Sequence, residues 1–117
     1  MLNKRELGSE YETRACKYLE DKGYSIIERN FYSKHKEIDI IARDKEYLVF
    51  IEVKYRKDNI KGTPLDAVNY LKRKNIIRAA RYYIHKNYYG MDVAVRFDVV
   101  SIEGDNIVLI KDAFWLE

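Results

Sequence analysis

The sequence has few of the residues and segments that define special classes of protein. Cys16 is the single cysteine among 117 residues, so an internal disulfide cannot form; this favours a reducing cytoplasm, with Cys16 as a small buried hydrophobe. No run approaches the roughly 18 apolar residues that a membrane helix needs, and the charged beginning of the chain lacks the apolar stretch of a signal peptide. Repeats, low-complexity tracts and linkers are also missing. At this length we expect one domain, residues 1–117, with one core.

Charge is modest in sum but uneven along the chain. The net charge is +3 at pH 7, from 22 basic and 19 acidic residues. The segment from Lys54 to Lys86 holds ten of the basic residues against two acids, Asp58 and Asp66, and so has a local charge of +8. The remaining 12 basic and 17 acidic residues leave the rest of the chain at −5. One basic segment on an otherwise acidic chain favours a polyanionic partner; a solvated helix face is the alternative.

Residue periodicity predicts an α/β fold with the order α-β-β-β-α-β-β. Apolar residues recur at helical spacing over residues 4–22, before the C-capping Gly23, and over residues 65–88, where Pro64 suits the first turn. β-rich segments predict strands at 24–30, 37–43, 47–55, 93–102 and 106–111. A short polar turn joins the second and third strands, which favours an antiparallel hairpin. We therefore expect a mixed central sheet of about five strands flanked by helices.

Charged residues interrupt two of the most apolar strands. Asp39 and Glu52 each stand between two β-branched apolar residues. Such acids cost free energy unless something compensates them, and Mg²⁺, which accepts oxygen ligands and keeps several waters, would do so. Side chains alternate along a strand, so Lys54 points the same way as Glu52. In this hypothesis the two acids hold the metal, and Lys54 orients or helps deprotonate a water that attacks a phosphodiester. The alternative is a cross-strand salt bridge between Lys54 and one carboxylate.

The first predicted helix offers a further acid. Glu12 lies at helical spacing from Gly8, Ala15 and Leu19, which places it on or beside the inward face of the helix. An acid there, opposite a small residue, could reach over the sheet to a metal. An exposed acid paired with a nearby Lys or Arg is the alternative.

The motifs along the chain resemble those of one protein family. In order, the matching segments are Gly8 with Glu12-x-x-Ala15 and Tyr18-Leu19, Gly23-Tyr24, Arg29-Asn30, Glu37-Ile38-Asp39-Ile40-Ile41-Ala42, Val49-Phe50-Ile51-Glu52-Val53-Lys54-Tyr55-Arg56, Val68-x-x-x-Lys72, Arg96-Phe97-Asp98-Val99-Val100 and Asp112-Ala113-Phe114. This pattern resembles the UPF0102 family, which belongs with the PD-(D/E)xK, restriction-endonuclease-like nucleases and is similar in layout to archaeal Holliday-junction resolvases. The resemblance runs almost from end to end.

The resemblance implies a restriction-endonuclease-like core with a nuclease-type site. The implied active-site set is Glu12, Asp39, Glu52 and Lys54, with Glu12, Asp39 and Glu52 as ligands of Mg²⁺ or Mn²⁺. Two positions depart from the family pattern, because Lys36 and Tyr11 stand where glycines are usual. Neither is an implied metal ligand.

Basic residues after the candidate catalytic strand and along the second helix would contact phosphates without reading sequence. They are Arg56, Lys57, Lys72, Lys74, Arg78 and Arg81. Nothing in the chain resembles a major-groove reading motif, so we expect recognition of nucleic-acid structure. The nearby Tyr82, Tyr83, Tyr88 and Tyr89 could stack on unpaired bases, although we expect at least two of them in the core or an interface.

Together these features favour a metal-dependent endonuclease that acts on structured or branched nucleic acid. DNA is favoured over RNA as the partner, and a homodimer is one expected assembly. The alternative from a different class is a non-catalytic nucleic-acid-binding adaptor that keeps the nuclease fold. A tyrosine-rich protein-docking face is a third and weaker interpretation.

Overall fold

The computed structural model describes residues 3–34, 36–56 and 69–114, and its elements follow the predicted order. The elements are α1 (Lys4–Asp21), β1 (Ser25–Ser33), β2 (Lys36–Asp44), β3 (Tyr47–Arg56), α2 (Tyr70–Tyr88), β4 (Ala94–Glu103) and β5 (Asn106–Ile110). The strands form one five-stranded sheet in the order β1-β2-β3-β4-β5. β3 and β4 are parallel and the other neighbours antiparallel, which confirms the predicted mixed sheet and the hairpin of β2 and β3. Neither described helix is long and apolar enough to cross a membrane.

Local sequence signals set both ends of α1. At its start, the Asn3 side chain accepts a hydrogen bond from the Glu6 backbone N–H, and the Glu6 carboxylate accepts one from the Asn3 N–H. This capping box satisfies two N–H groups that the helix leaves unpaired. At its end Gly23 has φ +98°, and the N–H groups of residues 23 and 24 donate to carbonyl oxygens of the last turn. The predicted end of the helix at this glycine is confirmed.

The second helix begins later than predicted. Asn69 has an extended backbone (φ −75°, ψ 173°) and its side chain accepts the Lys72 N–H, so α2 starts at Tyr70 rather than at residue 65. Residues 57–68, which include Lys57, Pro64 and the predicted start of this helix at residue 65, lie outside the described residues.

A helix covers each face of the sheet. The buried residues of α1, which are Ala15, Cys16 and Leu19, share a core with Ile51 and Val53 of β3. On the opposite face, Ile76, Ala79, Ala80 and Tyr83 of α2 pack with Phe50 of β3. Successive residues of β3 therefore alternate between the two cores, which places Glu52 and Lys54 on the α2 side. Burial raises the pKa of the Cys16 thiol, as expected for a small buried hydrophobe.

The strand β2 changes face at Asp39. Ile38 belongs to the core under α2, whereas Ile40 belongs to the core under α1, although residues two apart on a regular strand share a face. On β1, Asn30 has φ 54° and lies between the residues that pair with Ile40 and Ile38. Asn is one of the few residues that adopt this left-handed backbone readily. β1 therefore continues through Asn30, its predicted end, to Ser33.

This change of face opens the pairing of β2 and β3 beside Asp39. Backbone pairing between the two strands ends where Ile40 lies opposite Ile51. One step further, Oδ2 of Asp39 accepts the Val53 N–H at 2.8 Å, so a side chain takes the place of a backbone carbonyl. The carboxylate is thereby held against β3, next to Glu52.

Candidate active site

Three carboxylates meet beside the open end of the β2–β3 pair. Glu12 reaches this place from α1, and Glu37 and Asp39 reach it from β2. One oxygen from each lies within 4.8 Å of the other two. Oxygen ligands of Mg²⁺, each about 2.0–2.1 Å from the ion, are at most about 4.2 Å apart. The three acids therefore lie close to the spacing of a shared divalent ion, and small side-chain movements would complete it.

Glu12 occupies the inward position predicted from its helical spacing. Its side chain is 14% exposed, and the closest cationic group is Nη2 of Arg29, 3.9 Å from Oε1. Oε1 is buried and has no hydrogen-bond partner among the described residues. Burial, followed by the charge of Glu37, raises the pKa of Glu12. A buried carboxylate oxygen without a hydrogen bond is unfavourable, and a cation at this point would satisfy it.

Asp39 is the acid whose charge is least favoured. Burial, followed by the charge of Glu52, raises the pKa of Asp39 to about 8. The hydrogen bond from the Val53 N–H acts in the opposite direction but does not outweigh these effects. A bound divalent ion would favour the charged form of this acid.

Glu52 is neutralised by two lysines in this structure. Its side chain is 4% exposed, and Oε1 lies 2.7 Å from Nζ of Lys72 and 3.4 Å from Nζ of Lys54. Glu52 and Lys54 point the same way, as strand alternation predicts. The alternative prediction is a salt bridge of Lys54 with a carboxylate of the neighbouring strand. Lys54 does form a salt bridge, but with Glu52 of its own strand. Burial, followed by Lys72, lowers the pKa of Lys54.

A cleft of about 380 Å³ gives solvent access to three of the acids, Glu37, Asp39 and Glu52. Its strand side includes Lys36, Glu37, Asp39 and Glu52, and its helix side is the first turns of α2, from Asn69 to Ile76. Lys72 belongs to this cleft. Burial acts to lower the pKa of Lys72, but the charge of Glu52, the hydrogen bonds to Glu52 and Lys54 and the charge of Asp39 together raise the pKa, so the ammonium is held as a cation.

The other predicted phosphate-binding residues that the structure describes do not line this cleft. Lys74, Arg78 and Arg81 are exposed on α2, and Nζ of Lys74 lies 5.1 Å from the centre of the Tyr70 ring. Arg56 is half-buried at the end of β3. Lys57 falls outside the described residues.

Of the four neighbouring tyrosines, two belong to the core and two are exposed. Tyr83 is buried in the core under α2, and Tyr88 packs against that core. Tyr82 is 45% exposed and Tyr89 is 76% exposed. The expectation that at least two of these tyrosines lie in the core is confirmed, and the other two remain available as aromatic surface.

Glu37 is not among the metal ligands predicted from the sequence, and Lys72 is predicted there only as a phosphate-binding cation of the second helix. For Glu37 a signal was present, because it stands two residues before Asp39 and strand alternation puts both on one face. Lys72 carried no such signal. Its contact with Glu52 depends on how α2 packs across the sheet, which residue spacing alone does not reveal.

The fold and the cleft define an α/β protein whose mixed sheet carries a cluster of acids and lysines. The chain belongs to the UPF0102 family, described as uncharacterised protein family UPF0102, whose sequence model matches residues 11–102. It is 44% identical to a UPF0102 protein of Chlorobium chlorochromatii over 96% of this chain and 93% of that relative. It is 43% identical to UPF0102 protein FN1370 of Fusobacterium nucleatum, with 97% and 95% covered. The matched span includes Glu12, Asp39, Glu52 and Lys54.

Proposed function

We propose that this protein is a metal-dependent endonuclease that hydrolyses phosphodiester bonds in structured or branched nucleic acid, DNA rather than RNA. The observation that most supports the proposal is the convergence of Glu12, Glu37 and Asp39 from two elements, with oxygens within 4.8 Å of one another. Acids brought so close in a half-buried place repel each other unless a cation joins them. Mg²⁺ and Mn²⁺ are the cofactors that suit an all-oxygen site of this kind.

In this proposal Glu12 and Asp39 hold the metal, with Glu37 within reach of the same position. Glu52 lies beside Asp39 and becomes a ligand if it exchanges a lysine contact for the ion. When bound, the metal supplies a Lewis acid at the phosphate and a water of lowered pKa. The Oε1 atom of Glu12 fits this arrangement. It is a buried oxygen that can bind a metal ion, and it accepts no hydrogen bond from the described residues.

Lys54 is the residue proposed to act on the attacking water. Burial and the neighbouring Lys72 lower its pKa, which increases the share of neutral amine that can accept a proton. Lys72 stays cationic on Glu52 and lies in the same cleft. A cation there would stabilise the negative charge that develops on the phosphate oxygens during attack.

A second candidate function is a nucleic-acid-binding adaptor without turnover. It is favoured by one observation, the close ion pair of Glu52 with Lys72 at 2.7 Å, which satisfies that acid without a metal. Such an adaptor would bind nucleic acid through the exposed cations of α2, and its affinity would fall steeply with salt.

A cleavage assay on branched, single-stranded and duplex DNA with Mg²⁺ or Mn²⁺ tests the proposal. Asp39→Asn, Glu52→Gln and Lys54→Ala should each lower the rate by about 10²-fold or more, because each removes a group that acts on the transition state. Asp105→Asn, in the exposed turn between β4 and β5, is the matched control. Cleavage at the same rate by all three variants would trace the activity to a contaminant. Salt-sensitive binding by the wild type with no cleavage would support the adaptor instead.

A further inference from the structure

A second cavity lies along α2 from the candidate active site. It has a volume of about 260 Å³ and lies between the end of β1, the start of β2 and the middle of α2. Its lining residues are Ser33, Lys34, Lys36, Arg78 and Tyr82. Lys36 also lines the active-site cleft, so the two cavities are neighbours. Among the described residues, no acid lines the second cavity, whereas the first holds three.

The cations of this cavity form no ion pair within the described part of the chain. The ion pairs found there involve Arg29, Lys54, Lys72, Arg96 and Lys111. Lys34, Lys36 and Arg78 take part in none of these pairs. Three positive charges around one concave site create a potential that attracts an anion such as a phosphodiester.

Tyr82 adds an aromatic surface to the same cavity. Arg78 and Tyr82 are four residues apart on α2 and so lie on one face of the helix. The Tyr82 ring is stacked on Phe31, with centroids 6.2 Å apart and planes at 30°, and it is still 45% exposed. The ring is therefore supported from within and accessible from outside, which are the properties of a platform for an unpaired base.

The separation of the two cavities matches the spacing of a nucleic-acid strand. The helix residues of the first cavity lie between Asn69 and Ile76, and those of the second are Arg78 and Tyr82. With a rise of about 1.5 Å per residue, the centres are about 11 Å apart along the helix. Phosphates of one strand rise by about 3.4 Å each in a stacked duplex and lie further apart in an extended unpaired strand, so this distance corresponds to at most about three nucleotides.

We propose that the second cavity binds one unpaired nucleotide of the substrate, within about three nucleotides of the bond that is cut. Lys34, Lys36 and Arg78 bind its phosphates, and its base stacks on Tyr82. This inference rests on the proposed function and names its substrate class: nucleic acid with a single-stranded arm next to a duplex.

Binding to forked and blunt duplexes tests the stacking part of this site. The full-length protein is titrated with fluorescently labelled forked and blunt duplexes, as DNA and as RNA, with Ca²⁺ in place of Mg²⁺. Tyr82→Ala should weaken binding of the fork by roughly fivefold to hundredfold, the contribution of one stacked base, and leave the blunt duplex unchanged. Tyr82→Phe should bind both like the wild type. Tyr82→Leu keeps packing volume against Phe31 but lacks a stacking face, so it should behave like Tyr82→Ala.

Salt dependence tests the phosphate-binding part. Arg78→Ala and Lys34→Ala should each reduce the slope of log K against log salt by about 0.7 for the single-stranded arm. The matched control is Lys17→Ala on the exposed side of α1, which should change neither the slope nor the fork preference.

The results separate this site from the nuclease proposal. Equal losses on forked and blunt duplexes, or wild-type binding by Tyr82→Leu, would overturn the nucleotide site even if the protein cuts DNA. If the protein prefers the fork through Tyr82 but cleaves no substrate, the nucleotide site is supported and the nuclease proposal is refuted. Whether the wild type binds the DNA fork or the RNA fork more tightly identifies which of the two nucleic acids occupies the site.

Discussion

Asp39 is an acid placed where its negative charge is unfavourable. Burial and the neighbouring Glu52 raise its pKa to about 8, far above the value of about 3.9 of an exposed aspartate. The folded state therefore binds more protons than the unfolded state between about pH 4 and pH 8. The contribution of protonated Asp39 to the free energy of unfolding is therefore present below about pH 4, and it is lost as the pH rises to about 8. The charge of Asp39 therefore lowers the stability of the protein at high pH.

Asp39→Asn should stabilise the metal-free protein at high pH. The amide oxygen can still accept the Val53 N–H, but it carries no charge that becomes unfavourable. With a chelator present, we expect the midpoint of thermal unfolding to rise on the order of 5 °C at about pH 9 and to change little at about pH 5. Circular dichroism at both pH values measures this. An equal loss of stability at both would show that the charge of Asp39 is not what matters.

At the scale of single elements, α1 holds Glu12 over the sheet, and its end depends on one glycine. Gly23 has φ +98°, and a Cβ added there would meet no atom within 4 Å. Gly23→Ala therefore costs backbone strain without a steric clash, and should lower the free energy of unfolding by about 1–2 kcal/mol. Urea unfolding measures the change.

Gly8 is the matched control on the same helix. It lies inside α1 with no atom within 4 Å of an added Cβ, and its backbone is not left-handed. Gly8→Ala should stabilise the protein by about 0.5–1 kcal/mol, because alanine is the better helix former. A loss from Gly8→Ala similar to that from Gly23→Ala would contradict the conformational explanation.

The elements also separate what local patterns predict from what they do not. The hairpin of β2 and β3 and the shared direction of Glu52 and Lys54 follow from alternation and a short polar turn, which are local properties. The end of β1 was predicted wrongly, because Asn30 is a residue typical of turns. Its left-handed backbone here lies inside the strand, opposite the point where β2 changes face.

At the scale of the whole molecule, a buried polar network ties α1 to the sheet at the end away from the site. Asp98 is fully buried and accepts hydrogen bonds from the Tyr24 hydroxyl at 2.7 Å and from Arg96 at 2.9 Å. Arg96 also donates to Asp44 at 2.8 Å. These residues come from the segment after α1, from β2 and from β4, so the network fixes the position of the helix that presents Glu12.

Asp98→Ala should strongly destabilise the fold. It would leave the nearly buried guanidinium of Arg96 with one carboxylate instead of two, and breaking a buried pair typically costs about 3–5 kcal/mol. Urea unfolding should show this loss, with a smaller one for Asp98→Asn, which keeps an acceptor for Tyr24. The exposed Asp105→Asn should change little. A loss below about 1 kcal/mol from Asp98→Ala would mean that the network contributes little beyond its packing.

The sequence by itself determined the order of elements, the capped ends of α1, the mixed sheet and three of the four acids at the site. These follow from residue periodicity and short motifs, which depend on neighbours along the chain. Only the tertiary structure decided that Glu37 joins Glu12 and Asp39, that Lys72 contacts Glu52, and that Lys34, Arg78 and Tyr82 share a cavity. Alternation along β2 relates Glu37 to Asp39. The meeting of both acids with Glu12, and the contacts of α2, depend on the change of face at Asp39 and on how two helices pack across the sheet, and this long-range geometry leaves no periodic signal in the sequence.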